Sequence, residues 1–180
     1  MKVKVKFDSD EVKNLYLKAS DNKSIFPFKI YESDFCYDVV AVSCKEIAPN
    51  VYKYGLGVAF QIERDGSKPM FGRYEYVGYG FEDDLSTELK DMQLSIDFRP
   101  RSSVWRTGMS LSNCEGTIDE GYINNVSAVF YHLMPNMPKY EVGDKIGQIK
   151  IGVTLPMSFI EVDALDNTER GLNGYGSTGK

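Results

Sequence analysis

The chain has 180 residues, 42% of them hydrophobic and 13% aromatic, with a formal net charge of −5. That length suits one domain with one ordinary core, and the apolar content is too high for a disordered chain. The mildly acidic balance argues against a nucleic-acid-coating protein or a polybasic membrane anchor, and no apolar run approaches the ~20 residues of a membrane helix.

The opening residues, Met1 to Phe7, alternate lysine with Val3, Val5 and Phe7, as a half-exposed strand does. They hold no apolar block of a secretion signal, so the expected address is the cytoplasm. Val39 to Ser43 is rich in β-branched residues, and Val58, Phe60 and Ile62 alternate. Phe71 to Phe81 is dense in glycine and aromatics. From Glu82 to Gln93, Leu85, Leu89 and Met92 recur at helical spacing, with Asp83 or Asp84 placed to cap the start. A hairpin and a short helix packed on the rest of the fold are expected here, rather than an inserted contact surface.

Further along, Leu94, Ile96 and Phe98 alternate, Val126 to Leu133 reads as a strand buried on both faces, and Ile149, Ile151 and Val153 alternate again. Turn signals separate these runs at Ala48-Pro49-Asn50, Asp65-Gly66, Pro135-Asn136-Met137-Pro138 and Gly143-Asp144. Many short strands with turns between them predict an all-β barrel, sandwich or jelly roll. The Gly-rich stretch Glu169 to Lys180 cannot form a core by itself. It is either a frayed end or a lid that orders on a ligand, and Arg170, Ser177, Thr178 and the glycine amides suit a polyphosphate.

Composition narrows the chemistry. The three cysteines, Cys36, Cys44 and Cys114, form no C-x-x-C pair, which argues against a disulfide framework or structural zinc. His132 is the single histidine and lies in an apolar stretch, where a structural role is expected. Carboxylates and backbone amides are the remaining tools, and they suit Mg²⁺. Gly174 to Lys180 matches G-x-x-x-x-G-K but has no Ser or Thr after the lysine, so a P-loop is rejected. Arg99 to Gly108 combines arginines, Pro100 and the hydroxyls of Ser102 and Ser103, and a serine-capped helix start there would favour an anion. In Asn113 to Tyr122, Gly116 and Gly121 bracket an expected tight hairpin that presents Asp119 and Tyr122. Taken alone, Asp119 reads as a turn residue.

Together these segments resemble the trimeric dUTPases (dUTP diphosphatases) through five ordered motifs over nearly the whole chain. The first is Ser33-Asp34-Phe35-Cys36-Tyr37-Asp38-Val39, and the second is Pro100-Arg101-Ser102-Ser103. The third is Asn113 to Tyr122. The fourth, Gly143-Asp144-Lys145-Ile146-Gly147-Gln148-Ile149, is close to the usual G-D-R-I-A-Q. The fifth, Arg170 to Gly179, is close to R-G-x-G-G-F-G-S-T-G. The resemblance implies a jelly-roll (β-clip) homotrimer that splits dUTP into dUMP and pyrophosphate with Mg²⁺. Asp119 would be the general base, and Tyr122 would pack under the deoxyribose and exclude a 2′-hydroxyl. Asn113 would pair with the uracil edge, and Asp38 would hold Mg²⁺ through a water. Arg101, Ser102, Ser103 and Gln148 would contact phosphates. Arg170, Gly174, Tyr175, Gly176, Ser177 and Thr178 would close over the substrate, with Tyr175 stacked on uracil.

The chain departs from the family pattern at Cys36 (usually Gly), Ile123-Asn124 (usually Arg-Gly), Lys145 and Gly147 (usually Arg and Ala), and Tyr175 (usually Phe). The largest departure is an insertion at about 63–97, in an otherwise single domain over 1–180 with a flexible arm at 169–180. The related dCTP deaminases need a glutamate in the strand after Asp119, and Val126 to Tyr131 holds no carboxylate. A second reading is a nucleotide-gated interaction protein acting through the insertion. Some phage dUTPases bind regulatory proteins and use the active site as a switch; the insertion motivates that reading here, and a compact, insert-bearing sequence suits a phage source. No nucleic-acid or membrane partner is expected.

Overall fold

The computed structural model describes residues 2–21, 29, 31–63, 92–155 and 157–171. Strands β1 (Lys2–Phe7), β2 (Tyr37–Val40), β3 (Ser43–Ala48), β4 (Val51–Gly55), β5 (Val58–Glu63), β6 (Gln93–Pro100), β7 (Met109–Leu111), β8 (Gly116–Asp119), β9 (Ser127–His132) and β10 (Lys145–Thr154) are joined by one α-helix, α1 (Asp10–Ala19), and a 3₁₀ turn at Ser102–Arg106. Two antiparallel sheets, ordered β2-β10-β6-β8 and β3-β4-β9-β7, enclose the core, and β1 pairs with β5 beside them. This is an all-β jelly roll. Its core gathers Val39, Tyr54, Leu56, Val58, Phe98, Phe130 and Ile146, all buried. Phe98 of one sheet meets Phe130 of the other edge-on at 6.4 Å, and the Tyr54 hydroxyl donates to Tyr140 O at 2.9 Å.

From β6 onward the chain passes from one sheet to the other at every step. The connections between these strands are therefore corners, and the second, third and fourth motifs sit on or beside them. The sequence predicts a tight hairpin around Asp119, and the topology corrects this. β8 pairs with β6, while β9 pairs with β4 and β7. Glycines bracket a strand between two corners as readily as they bracket a hairpin. β9 also differs from its prediction: Ala128 and Phe130 are buried, whereas Ser127, Tyr131 and Leu133 are exposed. An antiparallel sheet covers one face only, so the strand alternates.

The helix among the described residues is α1. Ser9 caps it, accepting from Val12 N at 3.3 Å, and Asp10 and Glu11 favour its positive end. Val12 and Tyr16, one turn apart, face the core. The Tyr16 hydroxyl donates to Leu56 O at 3.0 Å, and its ring meets Phe7 edge-on at 5.7 Å. Burial pushes that phenol far above its ordinary pKa. The predicted helix over 82–93 lies outside the described residues except at its end, where Met92 precedes β6 and Gln93 opens it. The Gly-rich aromatic stretch and most of the insertion also lie outside them.

Candidate active site

Register places the polar candidates on one face of the β2-β10-β6-β8 sheet. Leu94, Ile96 and Phe98 of β6 point into the core, so Ser95, Asp97 and Arg99 point away from it. Gln148 stands opposite both Asp38 and Arg99. Lys150 stands opposite Asp97, and Ser95 stands opposite Gly152 on one side and Asp119 on the other.

At the β2 edge three motifs converge. Asp38 is buried, and its Oδ1 accepts from Gln148 Nε2 at 3.0 Å and lies 3.2 Å from Arg101 Nε. Arg101 leads into the turn of Ser102 and Ser103, where Val104 N donates to Arg101 O at 2.9 Å. The sequence predicts a serine-capped helix start here. Instead, Arg101 occupies the cap position without a side-chain cap bond, and the serines lie inside the 3₁₀ turn.

In the middle of the face, Lys150 Nζ pairs with Asp97, and Ser95 Oγ donates to Asp97 Oδ1 at 2.8 Å. Burial raises the Asp97 pKa, but the hydrogen bonds from Lys150 and Ser95 outweigh it, and the net shift is downward. The motifs do not reveal this trio, although strict alternation along β6 places it beside the motif residues.

At the opposite edge, Tyr122 N donates to Asp119 O at 2.9 Å, and this bond turns the chain out of β8. The Tyr122 hydroxyl donates to Asn125 O at 3.2 Å and braces the corner that holds Ile123-Asn124. Thr117, Ile118, Asp119, Tyr122, Val126 and Ser127 line a cavity of about 180 Å³. Asn113 sits on the preceding corner, beside Cys114 with φ 47°, and an ion pair of 2.5 Å from Arg99 Nε to Glu115 Oε1 fixes that corner to β6. Ser127 lies outside the motifs, whereas Thr117 and Glu115 belong to the third motif and Arg99 opens the arginine-rich segment; the cavity and the ion pair single these four out.

Asp119 and the Asp38 cluster stand apart within one chain. Three strand spacings separate β2 from β8, about 14 Å, and four residues separate Gln148 from Gly152, about 13 Å along the strands. Arg170 lies in an exposed turn where Gly171 N donates to Thr168 O at 3.0 Å. Gly174, Tyr175, Gly176, Ser177 and Thr178 lie outside the described residues. Between β10 and Arg170 the described chain forms no helix or strand and exposes Met157, Phe159, Ile160 and Leu165.

Among the described residues, no three of His, Cys, Asp and Glu gather as a metal-ligating group. Mg²⁺ does not need one, because it retains waters and is commonly held by one carboxylate plus substrate phosphates. Asp38 fits a single contact of that kind. Its hydrogen bond from Gln148 and its ion pair with Arg101 both fall on Oδ1, so Oδ2 is the atom that would accept from a metal-bound water. His132 is structural, with Nε2 3.0 Å from Met137 O. No helix among the described residues is long and apolar enough to cross a membrane.

A family model described as dUTPase matches residues 84–179. The deoxyuridine 5′-triphosphate nucleotidohydrolase of Clostridium novyi (strain NT) is 31% identical over 92% of this chain and 98% of its own length. That of Corynebacterium glutamicum is 42% identical over 45% of this chain and 56% of its own length. Among solved structures, a point mutant of the Staphylococcus bacteriophage 80alpha dUTPase with dUpNHpp matches at a TM-score of 0.63 and 17% identity, covering 99% of both chains. A point mutant of the dUTPase from S. aureus phage phi11, described with a structural Mg(II) ion, matches at 0.57 and 14% identity over 91% of this chain and 98% of that one. At such identities the two structures speak for the fold. The family model and the full-length Clostridium relative speak for descent, and the chain belongs to the dUTPase family.

Proposed function

We propose that the protein hydrolyses dUTP to dUMP and pyrophosphate, which keeps uracil out of DNA and supplies dUMP for dTMP synthesis. The observation that carries this reading is the presence, on one sheet face, of a carboxylate-and-phenol corner at Asp119 and Tyr122 and a guanidinium–amide cluster at Arg101 and Gln148. Asp119 takes a proton from the attacking water as it approaches the α-phosphorus. Tyr122 packs under the deoxyribose and leaves no room for a 2′-hydroxyl. Asn113 pairs with the uracil edge, where an unmatched base would leave buried groups unpaired at about 1–3 kcal/mol each. Arg101, Ser102, Ser103 and Gln148 bind phosphate oxygens. Arg170, Gly174, Tyr175, Gly176, Ser177 and Thr178 close over the nucleotide. Asp38 would accept from a water of a bound Mg²⁺, and the ion would supply neutralisation of the triphosphate's charge.

The working unit is a homotrimer of single-domain chains. Asp119 and Arg101 act on the same triphosphate, yet they belong to clusters at opposite edges of one sheet. The cavity at Asp119, about 180 Å³, is smaller than the 300–1,000 Å³ of an ordinary ligand pocket. Among the described residues, Met157, Phe159, Ile160 and Leu165 after β10 stay exposed. Sites shared between copies under threefold symmetry satisfy all three observations. A cytoplasmic address accords with a substrate drawn from the nucleotide pool.

The experiment is pyrophosphate release from dUTP, dCTP, dTTP and UTP in parallel, with and without Mg²⁺. Selective release from dUTP is expected. Intact dUTP in the presence of Mg²⁺ overturns the reading.

A further inference from the structure

Asp38, Arg101 and Gln148 come from three distant stretches of sequence and meet on one oxygen. Asp38 Oδ1 lies 3.2 Å from Arg101 Nε and accepts from Gln148 Nε2 at 3.0 Å. The Asp38 side chain is only 4% exposed. A carboxylate set so deeply must be paired and hydrogen-bonded, and a guanidinium plus an amide meet that need without a metal.

The atoms used in the pairing matter. Arginine has five N–H donors, and an ion pair at Nε leaves the four on its terminal nitrogens for a phosphate. Arg101 keeps 31% side-chain exposure, so its free end reaches solvent while its anchor does not. Gln148 uses Nε2, which fixes its amide plane and leaves a second N–H and Oε1 for a ligand. Arginine and glutamine are among the side chains with most rotamer freedom to lose. Pinning them in the free protein lowers the cost of ordering them on binding.

We infer that Asp38 is a positioning residue, which holds Arg101 and Gln148 in phosphate-binding orientation before metal or nucleotide arrives. A role confined to the metal would make Asp38 matter only when Mg²⁺ is present. The positioning role makes it matter without Mg²⁺ as well. The inference rests on the dUTP reading only for the choice of nucleotide probe.

Two measurements test it on the full chain. The first is binding of the α,β-imido analogue of dUTP, in EDTA and in Mg²⁺, by calorimetry. Asp38→Asn should weaken binding by about tenfold or more already in EDTA, and by at least that factor in Mg²⁺, because an amide cannot replace the charge that holds the guanidinium. A deficit confined to Mg²⁺, or no deficit in either buffer, overturns the inference. The second uses neither nucleotide nor metal. In EDTA, one arginine Nε–H resonance, assigned by its loss in Arg101→Lys, should be protected from solvent exchange in the wild-type chain. Unprotected exchange there overturns the inference even if Asp38→Asn fails to fold. Because this readout needs no substrate, it separates failure of the positioning role from failure of dUTP hydrolysis.

Discussion

Gly147 of β10 lies directly against the ring of Phe98 on β6. A Cβ at Gly147 would overlap Cε2 and Cζ of that ring and come within 2.8 Å of Arg99 O. The usual family residue at this position is Ala, so the glycine and the buried phenylalanine form a matched pair in this chain. Gly147→Ala should cost about 1–3 kcal/mol through overpacking. Phe98→Leu in the same chain should recover part of the loss, because the clash is removed. Thermal unfolding at fixed chain concentration measures both. An unchanged midpoint for Gly147→Ala would show that the ring can move aside.

The Lys150–Asp97–Ser95 trio predicts how stability responds to acid. Asp97 is charged in the folded chain at pH values where the unfolded carboxyl begins to protonate, because its folded pKa is lowered. Its contribution is therefore complete above the ordinary value near 3.8 and fades as pH falls through the lower folded value. Asp97→Asn should flatten that part of the acid limb. It should also destabilise the protein at pH 7 by about 3 kcal/mol, since it strands a largely buried ammonium. Denaturant melts from about pH 7 down through the carboxylate range test both effects. Parallel acid limbs for variant and wild type would refute the assignment. Gly152 supports the same trio, because a Cβ there would meet Asp97 Oδ2 at 2.5 Å.

How much of this is legible in the sequence depends on the range of the interaction. Strands such as Val58–Glu63 and Gln93–Pro100 announce themselves because alternation is local and one face is core. The helix at Asp10–Ala19 carries a local signal too, with Val12, Leu15, Tyr16 and Ala19 at helical spacing behind the Ser9 cap, but Leu17 and four charged residues in the same short run blur its apolar face. The five motifs name the candidate residues because each is a short run in sequence. Their spatial grouping is another matter. That Asp119 stands opposite Ser95, three strands from Asp38, follows from strand order, which no local pattern encodes. The expected hairpin fails for the same reason: the partners of β8 and β9 lie far away in sequence.

Trp105 offers a direct report on the proposed phosphate end of the site. It is the single tryptophan, it is 70% exposed, and Arg106 lies 5.3 Å over its ring, close behind Ser103 in the chain. Binding of the imido analogue should change its emission. Asp119→Asn should preserve that change while lowering turnover by roughly 10²–10⁴-fold, the usual worth of a general base. Turnover equal to wild type would remove Asp119 from the chemistry. Loss of the emission change would move its role to binding.

The separation of Asp119 from Arg101 yields the strongest prediction. If one chain supplied a whole site, Asp119→Asn and Arg101→Gln chains would each be inactive, and so would any mixture of them. If one copy supplies Asp119 and its neighbour supplies Arg101, a mixed trimer can contain intact sites. Each such site needs an Arg101→Gln chain on the Asp119 side and an Asp119→Asn chain on the other. With random assembly from an equal mixture, both conditions hold for about a quarter of the sites in a cyclic trimer. Co-expression of the two variants should therefore restore about a quarter of wild-type activity, against traces from either alone. Sedimentation on the same sample checks that the recovered activity travels with the trimer. Activity no greater than that of the separate variants, in a sample shown to be mixed trimer, would mean that the sheet brings its two edges to one substrate within a single chain. The register of β2, β10, β6 and β8 opposes that outcome.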